Sequence, residues 1–285
     1  MTSSATARWL LLAALWSLQH IFARLAVPVL GAAMVAELRA LFAVAFLVPW
    51  VVFVMRDALR LREHWRDQLA VCMVNNALPF VCFAYAVTEL PASYLAVMNG
   101  MVPLWSAVIS VPVLKEPLDA RRIAGFALGI AGVALIVKLG PIELTPRAAL
   151  AAVVGMVGAA FWGWAGVVIR QRTERVAPIS LAVGSILFAA LLLSPAWLVA
   201  PPLAHWTPGA TAAIIALGVL VSGVAYLPFF TLVRDIGPTR TLTVGLAVPL
   251  LGLFWGWLLL GETITLSMVA GAGLVLVALL LVMKR

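Results

Sequence analysis

One stretch of this chain, from Glu89 to Lys138, occurs twice. A shift of 146 positions lays it without a gap on Asp235 to Lys284. Apolar segments match by chance at Leu, Ala and Val, but seldom at other residue types under one constant shift. Such matches include Pro103 and Pro249, Glu116 and Glu262, Trp16 and Trp162, Arg24 and Arg170, and Lys138 and Lys284. Self-similarity at a fixed shift is the signature of a repeated structural unit, so we predict two halves, residues 1–140 and 147–285.

The composition places both halves in a membrane. Hydrophobic residues make up 65% of the 285 residues and charged residues 11%. A soluble domain carries about 25% charged residues, so this chain has too little polar surface to cover a soluble core. The formal net charge of +8 would suit nucleic acid, but the basic residues lie in short gaps between apolar runs. We therefore predict an integral membrane protein without a nucleic-acid partner.

Ten apolar segments are each close to the length of about 20 residues that a spanning helix needs. Their predicted limits are 7–26, 33–55, 67–88, 92–114, 120–138, 148–170, 178–200, 209–233, 238–260 and 265–283. The first segment resembles a signal peptide, but Trp16 within it has a repeat partner, so we interpret it as the first transmembrane helix. The predicted fold class is an all-α membrane protein.

The loop charges set the orientation. Most of the 19 Lys and Arg residues fall on one side of the predicted bundle, the side that also holds both termini. The positive-inside rule makes that side cytoplasmic. Each half has five helices, an odd number, so the halves enter the membrane in opposite directions. Inverted repeats of this kind build secondary transporters, with the substrate site near the midplane between the halves. We therefore predict two inverted five-helix repeats around a central cavity.

Each half also resembles the EamA-type five-helix repeat of the drug/metabolite transporter superfamily. The matching residues are Trp16–Ser17 and Trp162–Gly163, Arg39, Pro103 followed by Glu116, Pro249 followed by Glu262, and the glycines of the fifth helices. The second half departs from the pattern, because Ser185 stands where the first has Arg39. The resemblance implies an exporter of amino acids, other metabolites or drugs in the cell inner (plasma) membrane. The aromatic content is most similar to that of the aromatic amino-acid exporter group.

The fourth helix presents one candidate wall of the cavity. Tyr94, Met98, Met101 and Trp105 are spaced so that they share a helical face. Methionine adapts its shape and aromatic rings offer a large contact area, so we predict that Met98, Met101 and Trp105 bind substrate. Ordinary helix packing would produce the same stripe.

The first and third helices supply polar candidates. His20 lies four residues after Trp16, on the same face, and an ionisable group inside a membrane is a functional hypothesis by default. Its titration range suits proton handling; the alternative is a neutral histidine bonded between helices. Asn75 and Asn76 need partners, because burying an unpaired amide is costly. Those partners are substrate or neighbouring backbone. We expect one of the two adjacent residues to face the cavity.

The second half supplies the facing residues. Trp162 is expected opposite Trp16 across the pseudo-two-fold axis. Ser222 occupies the repeat position of Asn76, and Tyr226 follows it on the same helical face. We predict that Trp162, Ser222 and Tyr226 also bind substrate.

Four residues are candidates for hinges or gates. Pro103 and Pro249 lie inside predicted spans, where proline removes a hydrogen bond and kinks the helix, either as a hinge or as a passive bend. Glu116 and Glu262 fall at helix ends, as structural caps or as gate residues.

Motifs for other chemistries are missing from the sequence. It has no phosphate-binding loop, no His-Glu-x-x-His helix and no metal-spaced cluster. We therefore expect no ATP drive, no cofactor and no enzyme activity. The predicted function is alternating-access export of a small molecule, with amino acids including aromatic ones foremost. The alternatives are export of another metabolite or drug, or a membrane enzyme or scaffold.

Overall fold

The computed structural model is a bundle of helices. It describes residues 3–54, 60–115, 119–139, 143, 145–199, 205–236, 241 and 243–283. Within these ranges every regular element is helical. Glu116, a predicted gate residue, lies outside the described residues.

The described ranges contain ten apolar helices, which we number α1 to α10 in chain order. The first half contains Ser4–Leu30, Ala32–Val54, Leu61–Glu89, Ala92–Leu114 and Ala120–Val137. The second half contains Pro146–Arg172, Pro178–Val199, Pro208–Phe229, Val244–Leu260 and Leu266–Val282. By length and composition the first eight can cross a membrane, and α9 and α10 are shorter apolar helices. The predicted all-α membrane fold is confirmed.

Several helices change their winding within the bundle. α3 contains a π-helical turn at Met73–Ala77, and α8 contains one at Leu217–Val224. The shift of 146 positions places the first turn within the second, so both halves widen the same helix at the same place. α4 divides into Ala92–Asn99 and Val102–Leu114. A wide turn rotates the side chains that follow it, and such turns are frequent at functional sites.

The ends of α4 and α9 also repeat. Lys115 after α4 has φ 55° and Gly261 after α9 has φ 64°, and the shift pairs the two positions. A left-handed residue satisfies the last carbonyls of a helix. Glycine adopts this conformation freely, whereas a residue with a Cβ pays about 1–2 kcal/mol. The first half therefore has the same left-handed helix end as the second half, although lysine disfavours that backbone conformation.

The two halves are interleaved and do not lie side by side. α1 packs on α9, and the inverted counterpart of that contact is α6 on α4. α3 packs on α6, while α5 and α10 pack on each other. Gly125 of α5 lies against Val282, and its repeat partner Gly271 lies against Ile136. Small residues let helix backbones approach closely, so this outer pair of helices is held at two symmetric points.

Candidate functional site

A cluster of buried and half-buried polar side chains lies where α1, α2, α3, α7 and α8 meet. Burying a polar group in an apolar surrounding is costly unless it is hydrogen-bonded, so a cluster of this size is an informative feature. Its members are Gln19, His20, Arg39, Asn75, Asn76, Ser185, Ser222 and Tyr226. The cluster draws on both halves of the chain.

Arg39 is the charged member of the cluster. Its side chain is buried, with Nε donating to Ser222 Oγ over 2.8 Å and Nη2 donating to Gln19 Oε1 over 3.3 Å. The guanidinium carbon lies 4.0 Å from the centre of the Phe80 ring, a cation–π distance. Each of these partners is neutral. Within the described ranges, the ion pairs involve other residues, at Glu63 and Asp67.

The two adjacent asparagines both belong to the cluster. Asn75 Nδ2 donates to Asn76 Oδ1 over 3.1 Å and to Tyr226 Oη over 3.3 Å, and Asn76 Nδ2 donates to Ser185 Oγ over 2.8 Å. The π turn at Met73–Ala77 interrupts the α-helical winding, and both amides join one network. That one of them faces the substrate cavity stays a prediction.

The rings of Phe83 and Trp162 lie beside the polar groups. Phe83 is stacked on Trp162 with centroids 4.5 Å apart, and its centroid lies 5.0 Å from that of His20. Trp162 Nε1 donates to the backbone oxygen of Asn75 over 2.9 Å. Among the described residues, Nε2 of the buried His20 has no hydrogen-bond partner. The cluster therefore offers aromatic surface and a vacant imidazole nitrogen beside the guanidinium.

A small cavity opens inside this cluster. Its volume is about 10 Å³, close to the space that one water molecule requires. The lining side chains are Gln19, His20, Ala23, Val35, Ala36, Arg39, Phe80, Phe83, Ala84 and Leu217. A larger cleft of about 470 Å³ lies between α2, α3 and α7 and is lined by apolar residues and Tyr85. The polar cluster is thus closed around little free volume.

The methionine and tryptophan side chains of α4 lie elsewhere. Met98 Sδ lies against Gly155 of α6, and Met101 Sδ lies against Gly129 of α5. Trp105 packs edge-on against Phe126 of α5, with centroids 4.6 Å apart. The structure does not bring these three residues to the polar cluster. They pack between α4, α5 and α6. Ordinary helix packing of this kind is the alternative to substrate binding that the sequence left open.

Trp16 is also separated from Trp162. Its ring lies 5.4 Å from that of Phe229 at the end of α8. Trp162 stacks on Phe83 instead. The two repeat-related tryptophans therefore flank different parts of the bundle and do not face each other directly.

The predicted hinge and gate residues have distinct surroundings. Pro103 lies in the first turn of the second segment of α4, whereas Pro249 lies inside the unbroken α9, against Gly100. Glu262 accepts from Ala92 N over 2.8 Å and from Ser93 N over 3.0 Å. These are unpaired N–H groups at the start of α4, so Glu262 acts as an N-terminal cap supplied by the other half.

The chain matches a known family over nearly all of its length. The sequence profile of the EamA-like transporter family matches twice, at residues 5–138 and 149–284. The chain belongs to the EamA-like transporter family. This EamA-like transporter also shares its fold with a solved crystal structure, with a TM-score of 0.65 at 18% identity over 99% of this chain and 96% of the other.

Named relatives of this EamA-like transporter include proteins of two bacteria. The uncharacterized transporter YvbV of Bacillus subtilis is 27% identical over 79% of this chain and 73% of its own length. YoaV of the same species is 23% identical over 79% and 78%. The probable amino-acid metabolite efflux pump of Salmonella typhimurium is 24% identical over 95% and 91%. These relatives support a membrane transport role.

Sequence reasoning assigned no substrate contact to three members of the cluster, Gln19, Arg39 and Ser185, or to the neighbouring rings of Phe80 and Phe83. Arg39 carried a signal of its own, as a charged residue inside a predicted span. Ser185 could be found from the repeat, because it occupies the position equivalent to Arg39. Phe80 and Phe83 carry no signal in the sequence, since their role depends on which helix faces them.

Proposed function

We propose that this EamA-like transporter exports small organic metabolites, foremost amino acids including aromatic ones, by alternating access and without ATP. The polar cluster carries the proposal. It joins hydrogen-bonding groups, one cation and a row of aromatic rings at a junction of the two halves. An amino acid with an aromatic side chain presents the same combination of polar ends and apolar ring.

The architecture supports a moving site. In inverted-repeat transporters the halves rock against each other around a site near the midplane. We infer that residues 1–140 and 147–285 are those halves, that the chain lies in the inner membrane and that both termini are cytoplasmic. The printed name of the Salmonella relative, an amino-acid metabolite efflux pump, agrees with this substrate class.

Purified protein in liposomes tests the proposal. Vesicles are incubated with a mixture of amino acids, nucleosides and organic cations, and their contents are measured by mass spectrometry against protein-free vesicles. We expect amino acids, aromatic ones among them, to enter unchanged. If only nucleosides or organic cations enter, the protein is a transporter of that class and the assignment of amino acids as substrates is wrong. Chemical conversion of a compound would indicate an enzyme, and no entry at all would indicate a scaffold.

A further inference from the structure

Arg39 has a charge that the structure around it leaves unneutralised. It lies at membrane depth in α2, among buried side chains. In the described part of the chain, no carboxylate lies within ion-pair distance of its guanidinium. Glu37 is two positions away on the same helix, and residues two apart do not share a face. An ionisable group in a membrane pairs with another group or marks a substrate path.

The hydrogen bond that Arg39 donates to Ser222 does not need a charge. Arg39 donates to Ser222, and the shift of 146 positions converts this pair into Ser185 and Asn76. Those two residues also touch, with Asn76 Nδ2 donating to Ser185 Oγ over 2.8 Å. The same junction is thus built once with a guanidinium and once with a neutral amide. A neutral amide is enough to make this hydrogen bond, so the junction does not account for the positive charge of Arg39.

A second vacant group faces the same small space. His20 is 2% exposed and its Nε2 has no partner among the described residues, and both His20 and Arg39 line the cavity of about 10 Å³. Phe80 and Phe83 complete that side of the cavity. A guanidinium favours carboxylates because its planar donors match the two oxygens.

We propose that Arg39, with His20 beside it, binds the carboxylate of the transported solute. This assignment rests on the proposed function, and it narrows the substrates to organic carboxylates. The cavity admits about one water in the closed form, so the carboxylate enters when the surrounding helices separate. Ser222, Gln19 and Phe80 hold the guanidinium in position without neutralising it.

Binding to the purified protein tests the subsite directly. Phenylalanine, phenylalaninamide, 3-phenylpropionate and decanoate are titrated by calorimetry into the wild type in detergent. We expect the two phenyl carboxylates to bind about tenfold or more tightly than the amide, the size of one charge-assisted hydrogen bond. Equal binding of acid and amide, or no binding of the phenyl carboxylates, would overturn the subsite. Binding of decanoate alone would indicate a lipid-derived fatty acid and overturn the solute assignment.

Substitutions assign the preference to one residue. Arg39→Gln is expected to remove the preference for acid over amide, while Arg39→Lys retains it with weaker affinity. Arg24→Gln is the matched control, because Arg24 is a half-buried arginine whose Nη1 donates to Val87 O at the end of α3. A preference that survives Arg39→Gln would overturn the assignment. If that variant does not fold, the comparison of acid with amide in the wild type still tests whether the protein has a carboxylate subsite.

Transport assays separate this inference from the proposed function. Liposomes that carry phenylalaninamide as fast as phenylalanine would leave the export function standing and remove the subsite. Liposomes that carry neither compound, with acid binding that depends on Arg39, would leave the subsite standing and remove the export function.

Discussion

Asn76 donates to Ser185 over 2.8 Å, and the repeat carries this pair onto Ser222 and Arg39, which are joined over the same distance. The repeat converts one pair into the other, so the two hydrogen bonds are equivalent contacts made at corresponding positions of the two halves. The two versions differ in chemistry, amide in one and guanidinium in the other. The junction is therefore symmetric in position and asymmetric in charge.

The neutral version of this junction can be measured by a double-mutant cycle. Ser185→Ala and Asn76→Ala each remove one partner of the buried pair. We expect each to lower the free energy of unfolding in detergent, with a coupling of about 0.6 kcal/mol and at most about 1.7 kcal/mol, the range for such bonds between membrane helices. Independent effects of the two substitutions would show that the contact contributes nothing.

The fold was predictable from the sequence because its signals are long-range and redundant. Ten apolar runs and one constant shift specify the helices, and five helices per half require inversion. Individual side chains carry less information. The spacing of Met98 and Trp105 predicts a common face, but not that this face meets α5 and α6. Helical periodicity places Asn75 and Asn76 about 100° apart, but it does not predict the hydrogen bonds that join both amides to one network at the π turn in α3.

The packing of Trp105 predicts a structural effect for its loss. Its ring lies edge-on to Phe126 and its Cβ lies against Gly163. Such truncations cost about 3–5 kcal/mol in buried cores, and Trp105 is half-buried, so Trp105→Ala should cost less than that. We expect a fall in the thermal unfolding temperature, with transport per folded molecule little changed. Trp105→Phe is the control that keeps part of the ring contact. Loss of transport at unchanged stability would show that Trp105 takes part in substrate binding and is not only a packing residue.

Glu262 is expected to stabilise the start of α4. Its carboxylate accepts from Ala92 N and Ser93 N, which have no helical partners of their own. Replacing a cap of this kind costs about 0.5–2 kcal/mol, so Glu262→Ala should lower the unfolding temperature in detergent. Glu174→Ala, at an exposed acidic residue after α6, is the control. Equal unfolding temperatures for both variants would show that the cap is not stabilising.

The proposed orientation can be tested with thiol probes. Native background is removed by Cys72→Ala and Cys82→Ser. Arg62→Cys and His205→Cys then place single thiols at exposed positions. In intact cells an impermeant maleimide should label the position at 205 and not the position at 62, which the positive-inside rule makes cytoplasmic. Labelling of both positions from one side would contradict the odd helix number of each half.

Trp162 and Trp164 form a matched pair on α6 for testing the aromatic wall. Trp162 stacks on Phe83 and donates to Asn75 O, whereas Trp164 is 42% exposed on the outside of the bundle. A favourable aromatic pair adds about 0.5–1.5 kcal/mol beyond the burial of area. We expect Trp162→Ala to reduce liposome transport of phenylalanine several-fold and that of alanine much less, because a small side chain uses little of the wall. Trp164→Ala should leave both unchanged. Equal losses for phenylalanine and alanine in Trp162→Ala would mean that Trp162 supports the polar cluster through Asn75 and does not contact the substrate ring.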